Sequence, residues 1–275
     1  MMTSSFTSFI YFAMIISYFF SISLFFVDLL RENKTANRIG IVMIALVWIL
    51  ESVFLFERMQ FDHVLPFFTS LQATVFFSWL LITVSIIMNL FWRVDYVSFF
   101  VSLLGFIFVA FDAIVHTHPQ IQQVRQGDLL FLHVSVSLFS YIAFSLSAIF
   151  SVLYLMEERA LHSKHFTSGP FKRLPSLERL DFFAFRSAFV GLPLLVLGMV
   201  FGSLWYKLLE GRFLFFDAKI LVSILVFLLY ALYLILRLTG KIRGRLGAWS
   251  NIVTYVVVMV NFLIVGEFIS KFHHW

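Results

Sequence analysis

The apolar positions of this chain come in long unbroken runs parted by short polar or charged interruptions. They do not recur every third or fourth residue, as on a helix packed against a soluble core. A run of about 20 apolar residues is long enough to cross ~30 Å of hydrocarbon. Eight such runs can be drawn, roughly at 8–30, 39–56, 67–91, 96–116, 131–156, 184–206, 217–238 and 247–269. Each is expected to be a helix, because an open strand in lipid leaves backbone groups unpaired. The pattern predicts an all-α fold: a polytopic membrane helix bundle with eight transmembrane helices, one integral membrane domain over residues 1–275. No basic stretch or small-residue cleavage site precedes the first run, which therefore reads as a retained span.

The interruptions set an expected orientation. Alternate connections hold Arg31, Lys34 and Arg38; Arg93; Arg159, Lys164, Lys172, Arg173, Arg179 and Arg186; and Arg237, Lys241, Arg243 and Arg245. These are fourteen basic residues, against six on the other side: Arg58, Arg125, Lys207, Arg212, Lys219 and Lys271. The positive-inside rule places the fourteen in the cytoplasm and both termini outside. The segment 157–183 is then the one sizeable cytoplasmic loop, with Ser168-Gly169-Pro170 and Pro175 breaking helix. It reads either as a solvated linker or as a docking site for a cytoplasmic protein.

Composition agrees with this picture. The chain is 61% hydrophobic and 13% charged, where a soluble domain is roughly half apolar and about a quarter charged. It has no cysteine, which excludes disulfide exchange, thiolate metal sites and iron–sulfur clusters carried by this chain alone. The pI near 9.5 comes from bases in short loops, so lipid headgroups and topology are their use, and nucleic acid is not an expected partner.

Candidate chemistry rests on histidine. Six of the eight histidines (His63, His116, His118, His133, His273 and His274) map to the outer side, and His162 and His165 to the inner. Imidazole is the side chain suited to axial ligation of haem iron. His133 opens the fifth run in Leu132-His133-Val134-Ser135, followed down that helix by Ser137, Ser140, Ser145, Ser147 and Ser151, small hydroxyl residues that permit close packing and cross-helix hydrogen bonds. His133 reads either as an interfacial histidine bonded to a carbonyl or as an iron ligand. His273 and His274 follow the last run and read as a headgroup anchor with Trp275 or as a second axial ligand. His116 and His118 after Asp112 make an ordinary polar loop or a divalent-metal pair without an evident third ligand. Glu51, inside the second run, reads as a carboxyl neutralised or paired near the outer end, within reach of water or Arg58, or as a functional group. Asp217 stands before the seventh run as a helix cap.

Four places resemble the cytochrome c assembly family, the membrane haem-handling proteins of the CcsA, CcmC and CcmF kind. Leu132-His133-Val134-Ser135 with Leu138-Phe139-Ser140-Tyr141 is similar to the family's first external haem-ligating histidine and its helix. Phe216-Asp217-Ala218-Lys219 stands where the family ends its tryptophan-rich haem-binding segment. Arg243-Gly244 occupies the place of a basic turn, and Val260-Asn261-Phe262-Leu263 matches the start of the final helix. The resemblance implies haem as cofactor, with His133, His273, His274 and Asp217 as its binding residues and His133 and His273 as iron ligands. The tryptophans of the haem-binding segment are absent, only Trp205 being near, and Ile235 or its neighbours replace an in-membrane histidine. The second external histidine, expected near Phe268, is missing there, and His273 or His274 would substitute.

These departures, the length and the eight runs resemble the HemX branch of the family, as do Phe77-Ser78-Trp79-Leu80-Leu81 and the Phe272-His273 ending. That branch implies a non-enzymatic protein of the bacterial cell membrane that handles or senses haem and lowers glutamyl-tRNA reductase levels. Its implied partners are membrane lipid, haem, and proteins of haem biosynthesis or cytochrome c assembly. Two alternatives stand beside it: a cytochrome c maturation factor presenting haem at the outer face, and a transporter. A transporter calls for helices broken at mid-membrane, and Pro193 with Gly191 and Gly198 is the candidate break.

Reporter fusions check the orientation. Fusions after residues 34, 170 and 243 are expected to read cytoplasmic, and those near 62, 123 and 275 external. An external signal at 170 would overturn the orientation and the outward clustering of histidines.

Overall fold

The structure is a computed structural model and describes residues 5–31, 33–62, 70–92, 95–115, 127–162, 174–213 and 216–269. The helices, in order, are α1 (Ser5–Arg31), α2 (Lys34–Asp62), α3 (Ser70–Trp92), α4 (Asp95–Val115), α5 (Asp128–His162), α6 (Leu177–Glu210), α7 (Ala218–Leu238) and α8 (Gly244–Met259). A π-helical stretch, Val260–Ile269, continues α8. Seven of these helices are long and apolar enough to cross a membrane, and the described apolar stretch of α4, Tyr96–Phe111, is shorter. The chain is an all-helical membrane protein, as its runs predict.

Several helices outrun their apolar runs. α5 has 35 residues and α6 has 34, so each rises about 50 Å against ~30 Å of hydrocarbon. The interval 157–183, expected as a loop, is entered from both sides, by α5 as far as His162 and by α6 from Leu177. Glu157, Glu158 and Arg159 are good helix formers that continue the hydrogen-bond ladder past the lipid boundary. α6 also runs unbroken through Pro193, so the candidate mid-membrane break is a continuous helix.

The helices gather into two compact units, α1 to α4 and α5 to α8. In the first unit α1 lies antiparallel to α2. Thr7 donates to Glu57 Oε1 at 2.9 Å, the Tyr18 hydroxyl meets Glu51 Oε1 at 2.9 Å, and Ser21 donates to the Gly40 carbonyl at 3.3 Å. α2 and α3 are joined by a reciprocal pair of tryptophans. The Trp48 indole donates to Thr83 Oγ1 at 2.9 Å and the Trp79 indole to Ser52 Oγ at 2.8 Å. Ser52 and Thr83 in turn donate to the carbonyls of Trp48 and Trp79, four residues back. The two indoles stack with centroids 5.8 Å apart. Each indole N–H thus has an acceptor in a site where water is scarce. α4 closes the unit, with Tyr11 donating to the Val109 carbonyl at 2.6 Å and Asn89 to Ser98 Oγ at 2.8 Å.

In the second unit α5 is the central helix. Ser140 Oγ donates to the Gly191 carbonyl at 2.9 Å and Ser147 Oγ to the Ala184 carbonyl at 2.6 Å, so α6 runs antiparallel beside it. From α8, Asn251 Nδ2 donates to Ser147 Oγ at 2.7 Å and Ser151 Oγ at 2.8 Å, and the Tyr255 hydroxyl meets Ser145 Oγ at 2.7 Å. From α7, Tyr230 stacks face to face on Phe144 at 3.8 Å. The serines of α5 therefore make the cross-helix bonds that their run predicts.

Helix α6 comes this close because small residues face α5. A Cβ on Gly191 would stand 2.7 Å from Phe144 Cε1, and Phe144 has Tyr230 behind it. Gly191→Val is therefore expected to lower stability in detergent by about 1–3 kcal/mol through overpacking. Gly127→Val, where a Cβ meets nothing within 4 Å, is expected to change the unfolding midpoint little. Equal effects at both positions would contradict the close α5–α6 contact.

Candidate functional site

Two of the eight histidines, His133 and His162, lie among the described residues; His63, His116, His118, His165, His273 and His274 lie outside them. The expected convergence of His133 with His273 or His274, and the His116–His118 pair, therefore involve positions outside the described residues. Among the described residues no group of three or more His, Cys, Asp or Glu is gathered as for a metal ion.

His133 is one turn and a half into α5 and half-buried. Its Nδ1 lies 2.7 Å from the Gly198 carbonyl oxygen. A carbonyl only accepts, so Nδ1 is the N–H nitrogen, and in the neutral ring Nε2 keeps its lone pair. A metal-ligating imidazole is usually held in this way, one nitrogen donating to a carbonyl and the other left for the metal.

The bond belongs to a series. His133, Ser140 and Ser147 donate to the carbonyls of Gly198, Gly191 and Ala184. Successive members are seven residues apart on both helices, rising along α5 and falling along α6. A seven-residue step returns to nearly the same face of a helix. The three acceptors all lie in residues with little or no side chain, which brings the α6 backbone within reach of short donors. His133 is the end member of this ladder.

The ring also has a fitted seat. A Cβ on Gly202 would fall 2.6 Å from His133 Nδ1 and 2.7 Å from Cε1. A Cβ on Gly198 would fall 2.5 Å from Ser137 Oγ. Gly198-Met199-Val200-Phe201-Gly202 is thus a small-x-x-x-small face that admits Ser137 and the His133 ring. Sequence reasoning placed Gly198 in a possible helix break and did not single out Gly202. The seven-residue spacing of Ala184, Gly191 and Gly198, matched to that of Ser147, Ser140 and His133, was the available signal.

Asp217 is the N-cap of α7. It is buried, and its Oδ1 accepts from the Lys219 backbone N–H at 3.0 Å. This is the cap that its position predicts. α6 runs antiparallel to α5 and α7 follows it, so the start of α7 stands at the same end of this unit as the imidazole. Asn261, in the π-helical stretch, donates to Ser223 Oγ of α7 at 3.0 Å. Phe262 packs edge-on against Tyr141 of α5 at 5.3 Å. A π-helical segment often marks a functional place in a helix, and this one packs on the half of α5 that carries His133.

The residues present fit a haem group whose iron His133 would hold. A half-buried imidazole has its Nδ1 engaged, its ring orientation fixed by Gly202, and its Nε2 free of that bond.

Comparison with known proteins bears on what this arrangement serves. A family model described as cytochrome C assembly protein matches residues 67–273. Protein HemX of Bacillus subtilis (strain 168) is 33% identical over 267 residues, covering 94% of each chain. Protein HemX of Brevibacillus brevis is 32% identical over 268 residues, covering 97% of each. The cytochrome c biogenesis protein CcsA of Guillardia theta is 25% identical, over 89% of this chain and 87% of its own. Among solved structures the fold is similar to that of the cytochrome c heme lyase CcmF, with a TM-score of 0.68 and 11% identity, over 96% of this chain and 48% of that one. The matched segment holds α5 to α8 with the His133 ladder, and the chain is a multi-pass membrane protein that belongs to the cytochrome C assembly protein family, on the side of its HemX members.

Proposed function

We propose that this chain is a non-enzymatic, HemX-like membrane protein that handles or senses haem and lowers the level of glutamyl-tRNA reductase. Family membership and fold support a haem-related membrane protein. The observation that carries the haem reading is the His133 imidazole, held by the Gly198 carbonyl with Nε2 left for a ligand. Haem, when bound, would supply an iron that takes an imidazole nitrogen as ligand. What the chain contributes is orientation. Gly198 fixes the tautomer, Gly202 leaves room for the ring, and the Ser140 and Ser147 bonds hold the register of α6 along α5. His273 and His274 are the candidates for a second ligand, and lipid and haem-biosynthesis or cytochrome c assembly proteins the candidate partners. The cytochrome c maturation reading is supported by the CcsA relatives and is the alternative.

Purified protein supplied with haem is expected to give a low-spin absorption spectrum, oxidised and reduced. His133→Ala should remove the low-spin form, because one axial imidazole is gone. Gly202→Ala keeps every ligand but pushes the ring from its seat, and should weaken binding on the order of 10-fold to 100-fold, as loss of a supporting contact does at metal sites. Binding unchanged in both variants would contradict the assignment of His133.

A deletion strain separates regulator from maturation factor. Glutamyl-tRNA reductase on an immunoblot is expected to rise, with covalent haem staining of c-type cytochromes largely intact. Unchanged reductase with lost staining would sink the regulator reading and favour the maturation factor. If neither changes, both readings fail and transport becomes the activity to assay.

A further inference from the structure

The first unit has a polar centre that the haem reading does not use. Each of its four helices contributes one residue. The Tyr18 hydroxyl of α1 bonds Glu51 Oε1 of α2 at 2.9 Å and also meets Ser78 Oγ of α3 in a short hydrogen bond. Gly105 of α4 lies over both hydroxyls, where a Cβ would stand 2.6 Å from the Tyr18 oxygen and 2.7 Å from Ser78 Oγ. Tyr18, Glu51 and Ser78 all have 0% exposure. The other carboxyl oxygen of Glu51, Oε2, is buried and has no hydrogen-bond partner among the described residues.

Burial rules out water as its partner, because Glu51 has no exposed surface. Glu51 is at least eleven residues from either end of α2, about 16 Å at the nearer end. The sequence suggested Arg58 or water as its partner, but Arg58 lies over the Phe54 ring at 5.7 Å. The group that meets Glu51 is a phenol on α1, and that phenol is met in turn by a hydroxyl on α3 and a glycine on α4. Asp28 on α1, Glu57 and Arg58 on α2, and Asp95 and Asp112 on α4 stand six or more residues along their helices from Tyr18, Glu51 and Gly105 respectively. Among the described residues no basic side chain pairs with Glu51.

A carboxylate in that place would be an anion out of water with one neutral donor and no counter-ion, which lipid-buried sites do not tolerate. A carboxylic acid meets the geometry. Its O–H on Oε1 donates to the Tyr18 oxygen, Tyr18 donates to Ser78, and Oε2 is left as a carbonyl, the mildest buried group to leave unpaired. We propose that Glu51, Tyr18 and Ser78 form an intramembrane proton-binding site in which Glu51 carries the proton and the two hydroxyls relay its hydrogen bond across three helices. Losing the proton reverses the chain, with Ser78 donating to Tyr18 and Tyr18 to the carboxylate, and leaves a charge where four helices meet. The family model begins at residue 67, so Tyr18 and Glu51 lie outside the matched segment, and they belong to the first unit while the His133 ladder belongs to the second.

Infrared spectroscopy of the full-length protein in lipid vesicles tests the proposal. At neutral pH, wild type minus Glu51→Gln is expected to show the carbonyl stretch of a carboxylic acid, with or without sodium. Tyr18→Phe should keep that band and move it, because the acid loses its phenol partner. Carboxylate bands in the difference spectrum would overturn the proposal. So would an acid band that disappears when sodium is added, the mark of a metal-cation site. If Glu51→Gln does not fold, wild type against Tyr18→Phe decides: a shifted acid band supports the site, and an unshifted spectrum overturns it.

Discussion

The close approach of α5 and α6 is the constraint on which the candidate site depends. Three side chains seven residues apart, His133, Ser140 and Ser147, donate to three carbonyls seven residues apart, those of Gly198, Gly191 and Ala184. A short side chain can bond a backbone carbonyl of a neighbouring helix only where no large side chain holds the two apart. Individual bonds of this kind in a membrane bundle contribute on average about 0.6 kcal/mol, whereas overpacking costs about 1–3 kcal/mol. The ladder therefore acts mainly through register. It sets which carbonyl stands opposite His133, and the glycines decide whether the ring fits there.

The two units solve the same problem, polar groups in hydrocarbon, in different ways. In the second unit the serines of α5 and Asn251 and Tyr255 of α8 are neutral and take part in cross-helix bonds, as Asn251 does with Ser147 and Ser151. In the first, the Trp48–Thr83 and Trp79–Ser52 bonds satisfy two indoles by exchange between α2 and α3. Glu51 is the exception there, an ionisable group whose surroundings supply hydroxyls and no charge.

Much of the fold was legible in the sequence. Eight apolar runs gave eight helices because lipid forces each run to pair its own backbone. Helix ends were less legible, since hydropathy reports where lipid stops and α5 and α6 continue beyond it on charged helix formers. The Ser135–Ser151 run was readable as a packing face, and Asp217 as a cap, because both follow from local chemistry. Their partners were not readable. That Gly191 and Gly198 are acceptors of a ladder, and not a break at Pro193, needs the register of two helices. The partner of Glu51 was missed for the same reason, since Tyr18 lies on another helix 33 residues away. The expected pairing of His133 with His273 or His274 concerns positions outside the described residues.

The central claim is that Gly198 holds His133 so that Nε2 serves a haem iron. An electron cryo-microscopy structure of the full chain in lipid nanodiscs, with haem supplied, tests it most directly. The account predicts iron on His133 Nε2 while Nδ1 still donates to the Gly198 carbonyl. Haem seated away from His133, or an iron on its Nδ1 with the Gly198 bond broken, would contradict it.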